Sequence, residues 1–151
     1  MDYLLTEEQK MIKDLAHKIA EEKIRPVAAK YDISEEYPLE VLKVMGESDM
    51  FGLFIPEEYG GFANSTMNLC LATEEFSRAC GGIAVCYAAS ALGTIPIVLF
   101  GTDEQKKKYL PALASGKRVA AFAITEPEAG SDASGIKTVA KKVGNHYILN
   151  G

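Results

Sequence analysis

The amino-acid sequence predicts a mainly α-helical, bundle-like domain that is followed by the first strands of a β domain. From residue 6 to about residue 115, apolar side chains recur at the three-four spacing of amphipathic helices. At Val119 this period ends, and the remaining chain alternates polar and apolar residues between turn residues, as strands do. These observations place an all-α domain over residues 1–117 and an incomplete β domain over residues 118–151.

The composition is that of an ordinary globular protein, with 48% hydrophobic and 25% charged residues among 151. A net charge of −5 provides no basic surface, so we expect no nucleic-acid partner. The three cysteines, Cys70, Cys80 and Cys86, form no C-x-x-C motif and have no histidine at ligand spacing. We therefore expect no metal site and no disulfide framework, but free thiols in a reducing compartment.

The N-terminus is acidic and has no apolar core of the secretory type, so we expect a cytoplasmic protein without a targeting peptide. Residues 83–100 form an 18-residue stretch without a charge, which is barely long enough to span a bilayer. A membrane-spanning helix and a helix buried on all sides of a domain both fit this stretch. Its small and polar residues, among them Ser90, Gly93 and Thr94, favour the buried helix and no membrane span.

The first helix is predicted to begin at Thr6, because Thr6 and Gln9 have the spacing of a capping box. Its apolar stripe continues to about Val27, and Pro26 predicts a kink or break near the end. His17 lies among charged neighbours and is interpreted as a surface residue. The stripe consists of Met11, Ile12, Leu15, Ala16, Ile19 and Ala20.

A second helix is predicted after Pro38, followed by a short apolar segment over residues 51–55. Pro56 and the glycine pair at 60–61 then enforce a turn. The inward residues of the second helix are expected to be Leu39, Leu42 and Met45.

A third helix is predicted to begin at a cap formed by Asn64 or Ser65 and to continue to about Ala79. The glycine pair at 81–82 breaks the chain before the long uncharged helix, which ends near Gly101. Another capping box predicts the last helix, which is brought to an end by a proline and a glycine. These residues are Thr102 and Gln105 at the start, and Pro111 and Gly116 at the end.

The β part of the chain is predicted to begin with a strand over residues 119–124. A half-exposed strand over 136–143 and a strand over 147–149 are joined by the two-residue hairpin signal at 144–145. Two or three strands bury too little surface to form an independent sheet. The turn dipeptide at 150–151 also predicts a further strand, so we expect this chain to be the N-terminal piece of a longer polypeptide.

Between these strands lies a loop that is rich in turn residues and side-chain oxygens. It contains Pro127 and Gly130, with Thr125, Ser131 and Asp132 among its polar residues. Such a loop can turn main-chain N–H groups outward beside hydroxyls, which suits the polar edge of a planar cofactor or a phosphate. A tight turn that binds no ligand is the alternative interpretation.

The same loop resembles the signature of the acyl-CoA dehydrogenase family. The signature positions are met by Ala123, Ile124, Thr125, Glu126, Ala129, Gly130, Ser131, Asp132 and Gly135. Further segments resemble the family in the expected order, namely IPEEYGG (55–61), GTIPI (93–97), FGTDEQKKKYLP (100–111) and YILNG (147–151). The resemblance therefore covers nearly the whole chain.

This resemblance implies an N-terminal helical domain and the start of a β-barrel-like middle domain, with the C-terminal helical domain absent from this chain. It also implies FAD as cofactor and oxidation of an acyl-CoA thioester between Cα and Cβ, with electrons passing to an electron-transfer flavoprotein. The parent enzyme is expected to be a homotetramer. Family members carry the catalytic glutamate in the C-terminal domain, so we assign no catalytic residue here and expect this piece alone to be inactive.

By the same resemblance, the flavin-binding residues are expected to be Phe122, Ala123, Ile124, Thr125, Gly130 and Ser131. Ser131 is also expected to touch the substrate, together with Val85, Ala88, Ala89 and Leu92 of the long helix. Core packing is a competing interpretation of those four helix residues. The small side chains at 88 and 89 leave width for a medium, branched or cyclic acyl group.

Three pairs of carboxylates invite a catalytic assignment, but such pairs are far commoner on solvated surfaces. They are Glu57 with Glu58, Glu74 with Glu75, and Glu126 with Glu128. Asp132 is predicted to brace its own loop by accepting nearby main-chain N–H groups. No G-x-G-x-x-G follows a strand, which argues against a Rossmann-type dehydrogenase. The alternatives left open are an acyl-CoA oxidase of the same fold and a non-catalytic helical binding module.

Overall fold

The computed structural model describes residues 4–62 and 65–151. The chain divides into two compact units, a helical unit, Met1–Ala121, and a second unit, Phe122–Gly151. The division lies after Ala121, so residues 118–121 belong with the helices and not with the β residues that the sequence places beside them.

Among its described residues, the helical unit contains six α-helices and the short helical turns that join them. A π-helical turn at Ala20–Ile24 and a 3-10 turn at Arg25–Val27 connect the first two helices, and 3-10 turns at Met50–Phe54 and Glu57–Tyr59 precede the fourth. The helices are α1 (Glu7–Ile19), α2 (Ala28–Ser34), α3 (Leu39–Glu47), α4 (Thr66–Ala79), α5 (Gly81–Phe100) and α6 (Asp103–Ala114).

Tyr87 of α5 lies at the centre of the core of the helical unit. Its ring centroid is 5.1 Å from that of Phe76 on α4 and 5.3 Å from that of Phe51. The Tyr87 hydroxyl donates a hydrogen bond of 2.8 Å to the carbonyl oxygen of Met50, and burial raises the pKa of Tyr87. The hydroxyl therefore stays protonated, and it satisfies a main-chain carbonyl inside the core.

The helix starts that the sequence predicts are confirmed by their cap hydrogen bonds. Both capping boxes are complete, with Thr6 accepting from the amide of Gln9 and Thr102 from that of Gln105. Ser65 caps α4 by accepting from the amide of Asn68. The alternative cap, Asn64, lies outside the described residues.

The predicted break at Pro26 is also confirmed, because the α-helix gives way to the wider π-helical turn before it. There the amide of Arg25 donates to the carbonyl of Ala20, five residues earlier. Proline lacks the N–H that a regular helix would use. The change from α-helical to π-helical hydrogen bonds accommodates it.

Four predictions within the helical unit are wrong in detail. Leu39 is exposed, although Leu42 and Met45 are buried as expected. The glycine pair at 81–82 opens α5, and the break falls at Cys80, whose backbone is extended at φ −160° and ψ 115°. Pro111 lies inside α6, and the turn comes at Gly116, which has a φ of +66°.

The fourth correction concerns α5, which is not buried on all sides of the helical unit. Val85 is 65% exposed and Leu92 is 52% exposed, because the helix packs through one face only. Within the described ranges, α5 is the one helix that is long and apolar enough to cross a membrane. Core helices of soluble proteins reach the same length and apolarity.

The second unit contains one antiparallel hairpin, formed by β1 (Val139–Val143) and β2 (His146–Asn150). Val143 pairs with His146, and Gly144 between them has the positive φ, +59°, that a two-residue hairpin turn requires. The predicted hairpin is thus confirmed, but its strands are exposed on both faces and not half-exposed. Residues 119–124, all of them described, form no strand, because none of the described residues pairs with them there.

Candidate functional site

The loop predicted to bind a cofactor contains a closed four-residue turn. The amide of Glu126 donates to the carbonyl of Ala129 at 2.8 Å, and the amide of Ala129 donates back to the carbonyl of Glu126 at 3.2 Å. Pro127 lies inside this turn, where its fixed φ suits the bend. Ala129, at the end of the turn, is buried.

Glu126 fastens this turn to the residues that enter β1. Its carboxylate accepts the amides of Lys137 at 2.8 Å and of Thr138 at 3.1 Å, and it also accepts the Thr138 hydroxyl. These bonds hold the pKa of Glu126 below its usual value, and the bond from the Thr138 hydroxyl has the largest effect. The carboxylate is therefore a brace, and its oxygens are taken up by donors that keep it ionised.

The bracing role of Glu126 is not evident from the sequence, because its partners lie 11 and 12 positions away. The neighbouring Glu128 forms an ion pair with Lys137 at the surface. Both pairings agree with the expectation that the carboxylates of this loop are structural.

Asp132 braces the end of the loop, as the sequence predicts. Its Oδ1 accepts the amide of Ser134 at 3.1 Å and also the Ser134 hydroxyl. The hydroxyl bond, followed by the amide bond, lowers the pKa of Asp132. Both ends of the loop are thus fixed by carboxylates that accept local donors.

Several of the predicted flavin-binding residues have main-chain N–H groups that are available to a ligand. In the described part of the chain, the amides of residues 123–125 and of 130–131 donate no hydrogen bond to another residue. Phe122 and Ile124 expose their apolar side chains, and Thr125 and Ser131 are exposed as well. Free N–H groups beside hydroxyls and apolar atoms fit a flat ligand with a polar edge. The isoalloxazine ring of FAD is a ligand of this kind.

Gly130 has open space where a side chain would begin, with no atom within 4 Å of an ideal Cβ. The second unit by itself therefore does not require glycine at this position. A ligand that packs against the main chain here would supply the reason for it.

The four predicted substrate residues lie on the open face of α5. Val85, Ala89 and Leu92 are exposed and Ala88 is half-buried. The face that packs into the core is formed by other residues, Ile83, Ala84, Tyr87, Ser90, Ala91 and Thr94. Within the helical unit, core packing therefore does not account for the four predicted residues.

Glu75 is a buried carboxylate that the sequence interpretation placed on a solvated helix face. It is 1% exposed and lies 2.9 Å from Nδ1 of His17, 2.9 Å from Arg78 and 3.6 Å from Lys13. Burial alone would raise its pKa, but the bond from His17 and the charges of Arg78 and Lys13 outweigh it and lower the pKa of Glu75. The ionised carboxylate only accepts, so His17 donates from Nδ1.

This cluster ties α1 to α4 and has no sequence signal, because His17 and Glu75 are 58 positions apart. Among the described residues, no group of three histidine, cysteine or acidic side chains could hold a metal ion. Because it joins α1 to α4, the cluster is interpreted as structural.

Comparisons with known proteins show which family this chain belongs to. The family model for the N-terminal domain of acyl-CoA dehydrogenases matches residues 6–117. A curated relative, a probable acyl-CoA dehydrogenase (YngJ) of Bacillus subtilis, is 43% identical over 100% of this chain, which covers 40% of that protein.

Two solved structures share the fold at similar identity. A chain in a structure described as electron transferring flavoprotein of Acidaminococcus fermentans has a TM-score of 0.94 at 43% identity, covering 100% of this chain and 40% of that one. An acyl-CoA dehydrogenase of Bacillus anthracis complexed with FAD has a TM-score of 0.89 at 42% identity, covering 97% and 26%. The chain thus spans less than half the length of these relatives. With the family model matching most of its residues, the chain belongs to the acyl-CoA dehydrogenase family.

Proposed function

We propose that this chain is the N-terminal part of a flavin-dependent acyl-CoA dehydrogenase that oxidises an acyl-CoA thioester between Cα and Cβ. The observation that carries the proposal is the braced loop at 122–131, which leaves amides, hydroxyls and apolar side chains open together. Family membership and a relative complexed with FAD support FAD as the group that this loop contacts.

In the proposed site, Thr125 and the amides of 123–125 bond the polar edge of the flavin, and Phe122 and Ile124 pack against its apolar atoms. FAD, when bound, accepts the hydride that leaves Cβ of the substrate. Ser131 is proposed to contact both flavin and thioester. The acyl chain is proposed to lie on Val85, Ala88, Ala89 and Leu92, whose apolar face excludes water from it.

No residue of this chain is proposed as the base that removes the α-proton. Glu126 and Asp132 accept donors of the second unit, and Glu75 pairs with Lys13 of α1 and Arg78 of α4. The base is proposed to lie outside residues 1–151, so we expect the isolated piece to be inactive. An electron-transfer flavoprotein as electron acceptor, a homotetrameric assembly and a cytoplasmic location complete the proposal.

The placement of the flavin is tested by Thr125→Val in the complete protein. The change keeps the shape of the side chain but leaves polar cofactor atoms without a partner, which typically costs about 1–3 kcal/mol, or roughly 5- to 150-fold in the dissociation constant of FAD. Titration of the apoprotein with FAD, followed by flavin fluorescence, measures this constant.

A matched control is Thr73→Val, which removes a hydroxyl that donates to the carbonyl of Leu69 within α4 at 2.8 Å. We expect it to leave FAD binding unchanged. Equal FAD affinity in wild type and Thr125→Val would contradict the placement. A wild type that binds no FAD at tens of micromolar would instead favour a non-catalytic binding module.

The reaction is tested by mixing the holoprotein with a series of acyl-CoA thioesters without oxygen. Bleaching of the flavin followed by reoxidation with an electron-transfer flavoprotein is expected. Fast recovery in air with release of peroxide would identify an oxidase instead.

A further inference from the structure

Ser90 is a buried polar residue of α5. It forms a hydrogen bond with the main chain just before the loop at 122–131. Its side chain is 2% exposed, and its Oγ accepts the amide of Ala120 at 3.1 Å. Ala120 precedes Phe122 by two positions. We name residues 118–121 the entry segment, because the loop at 122–131 continues directly from it.

Gly93 lets the entry segment lie directly on α5. A Cβ at this position would come within 2.8 Å of the amide nitrogen of Ala121 and 2.9 Å of the Ala120 Cβ. Real Cβ atoms do not approach main chain so closely, so any larger residue would displace the segment. Two residues before Ala120, the amide of Arg118 donates to the carbonyl of Ala112 on α6 at 3.0 Å.

The entry segment is therefore held at two of its amides while most of its length is exposed. A segment that is largely exposed depends on such bonds for its order. The loop that follows has amides without partners in the described chain. Such groups bind a ligand tightly only when they are already held in place.

We propose that Ser90, with Gly93 beside it, is a positioning residue of the flavin site. The buried hydroxyl fixes the entry segment, from which the loop at 122–131 continues along the chain. This inference rests on the proposed function. It adds that α5 serves the cofactor through Ser90 as well as the substrate through its open face.

The test compares three variants of the complete protein: Ser90→Ala, Gly93→Ala and the control Thr94→Val. Thr94 is buried on the same helix, and its hydroxyl donates to the carbonyl of Ser90 at 2.7 Å. Ser90→Ala leaves the amide of Ala120 without its acceptor. We expect hydrogen exchange at that amide to accelerate by about 5- to 100-fold, and FAD to bind more weakly by a similar or smaller factor.

The bound flavin supplies a readout that a general loss of stability does not move. At saturating FAD we expect an altered visible circular dichroism of the flavin in Ser90→Ala and in Gly93→Ala, and an unaltered spectrum in Thr94→Val. If Gly93→Ala does not fold, Ser90→Ala decides the matter.

The outcomes separate this inference from the proposed function. A wild type that binds FAD, with the same affinity and flavin spectrum in Ser90→Ala as in Thr94→Val, would overturn the positioning role alone. An unchanged rate of hydrogen exchange at the Ala120 amide in Ser90→Ala would show that Ser90 does not fix the entry segment. A wild type without FAD would overturn the proposed function and this inference together.

Discussion

Glu75 shows how one residue can determine the contact between two helices. A lone carboxylate in the interior is costly, and this one is stabilised by two cationic side chains and a histidine around it. Those partners keep their outer atoms in water, so most of the desolvation cost falls on Glu75. The free energy of the cluster therefore depends on Glu75 remaining ionised.

We predict that Glu75→Gln lowers the free energy of unfolding by about 1–3 kcal/mol at neutral pH, because the cations lose their charged acceptor. Urea unfolding followed by circular dichroism measures the change. The exposed neighbour Glu74 provides a control, since Glu74→Gln should stay within about 0.5 kcal/mol of wild type. Equal effects of the two changes would contradict the role of Glu75.

The same pair of variants gives a pH prediction. The folded pKa of Glu75 lies below its ordinary value of 4.5, so its contribution is complete above that value and is lost as the pH falls through the folded pKa. The difference between wild type and Glu75→Gln should therefore be present at neutral pH and shrink as the pH falls below 4.5. A difference that grows as the pH falls below 4.5 would show the opposite sign of the shift.

At the scale of elements, glycines that look alike in the sequence have opposite roles. An ideal Cβ on Gly61 would lie 1.8 Å from the carbonyl oxygen of Ile55, so the turn after Pro56 brings two stretches of main chain together. Gly81 has nothing within 4 Å of its Cβ position and opens a helix. Glycine is required at the first position and costs stability at the second.

We therefore predict that Gly61→Ala destabilises the helical unit by several kcal/mol, on the order of 3 or more, because main chain must move. Gly81→Ala should stabilise it by about 0.5–1 kcal/mol, since alanine restricts the unfolded chain and favours the helix. Thermal unfolding of both variants beside wild type provides the comparison. Similar melting temperatures for the two would show that the turn tolerates a side chain.

These elements also show what sequence can predict here. The caps at Thr6, Ser65 and Thr102 depend on residues three positions away, so local pattern is sufficient to find them. The hydrogen bonds between Glu75 and His17 and between Glu126 and Thr138 join positions that are distant in the sequence. No local sequence pattern predicts them. The strand expected at 119–124 fails for the same reason, because a strand exists only through its partner.

At the scale of the whole molecule, α5 has two functions to satisfy at once. Its inner face completes the core around Tyr87, and its outer face leaves Val85 and Leu92 open. The uncharged composition of α5 suggested a helix buried on every side. It is explained by the protein core on one side of the helix and, in our proposal, by an acyl chain on the other. Periodicity alone cannot separate these two kinds of apolar environment.

We predict that Leu92→Asn in the complete protein raises the KM for acyl-CoA about tenfold or more, because covering a leucine typically contributes about 1.5–3 kcal/mol. Leu99→Asn is the matched control, since Leu99 is also exposed on α5 but is not a predicted substrate residue. Steady-state kinetics with urea unfolding of both variants separates substrate binding from stability. An equal rise in KM for both would remove Leu92 from the acyl site.

The connection between α4 and α5 consists of a single extended residue, Cys80. One residue offers only two soft dihedral angles, and both helices are anchored in the same core through Phe76 and Tyr87. The two helices should consequently behave as one rigid body. A displacement of α5 would then carry α4 with it and reach α1 through the contacts of Glu75 with Lys13 and His17, so these three helices should move together.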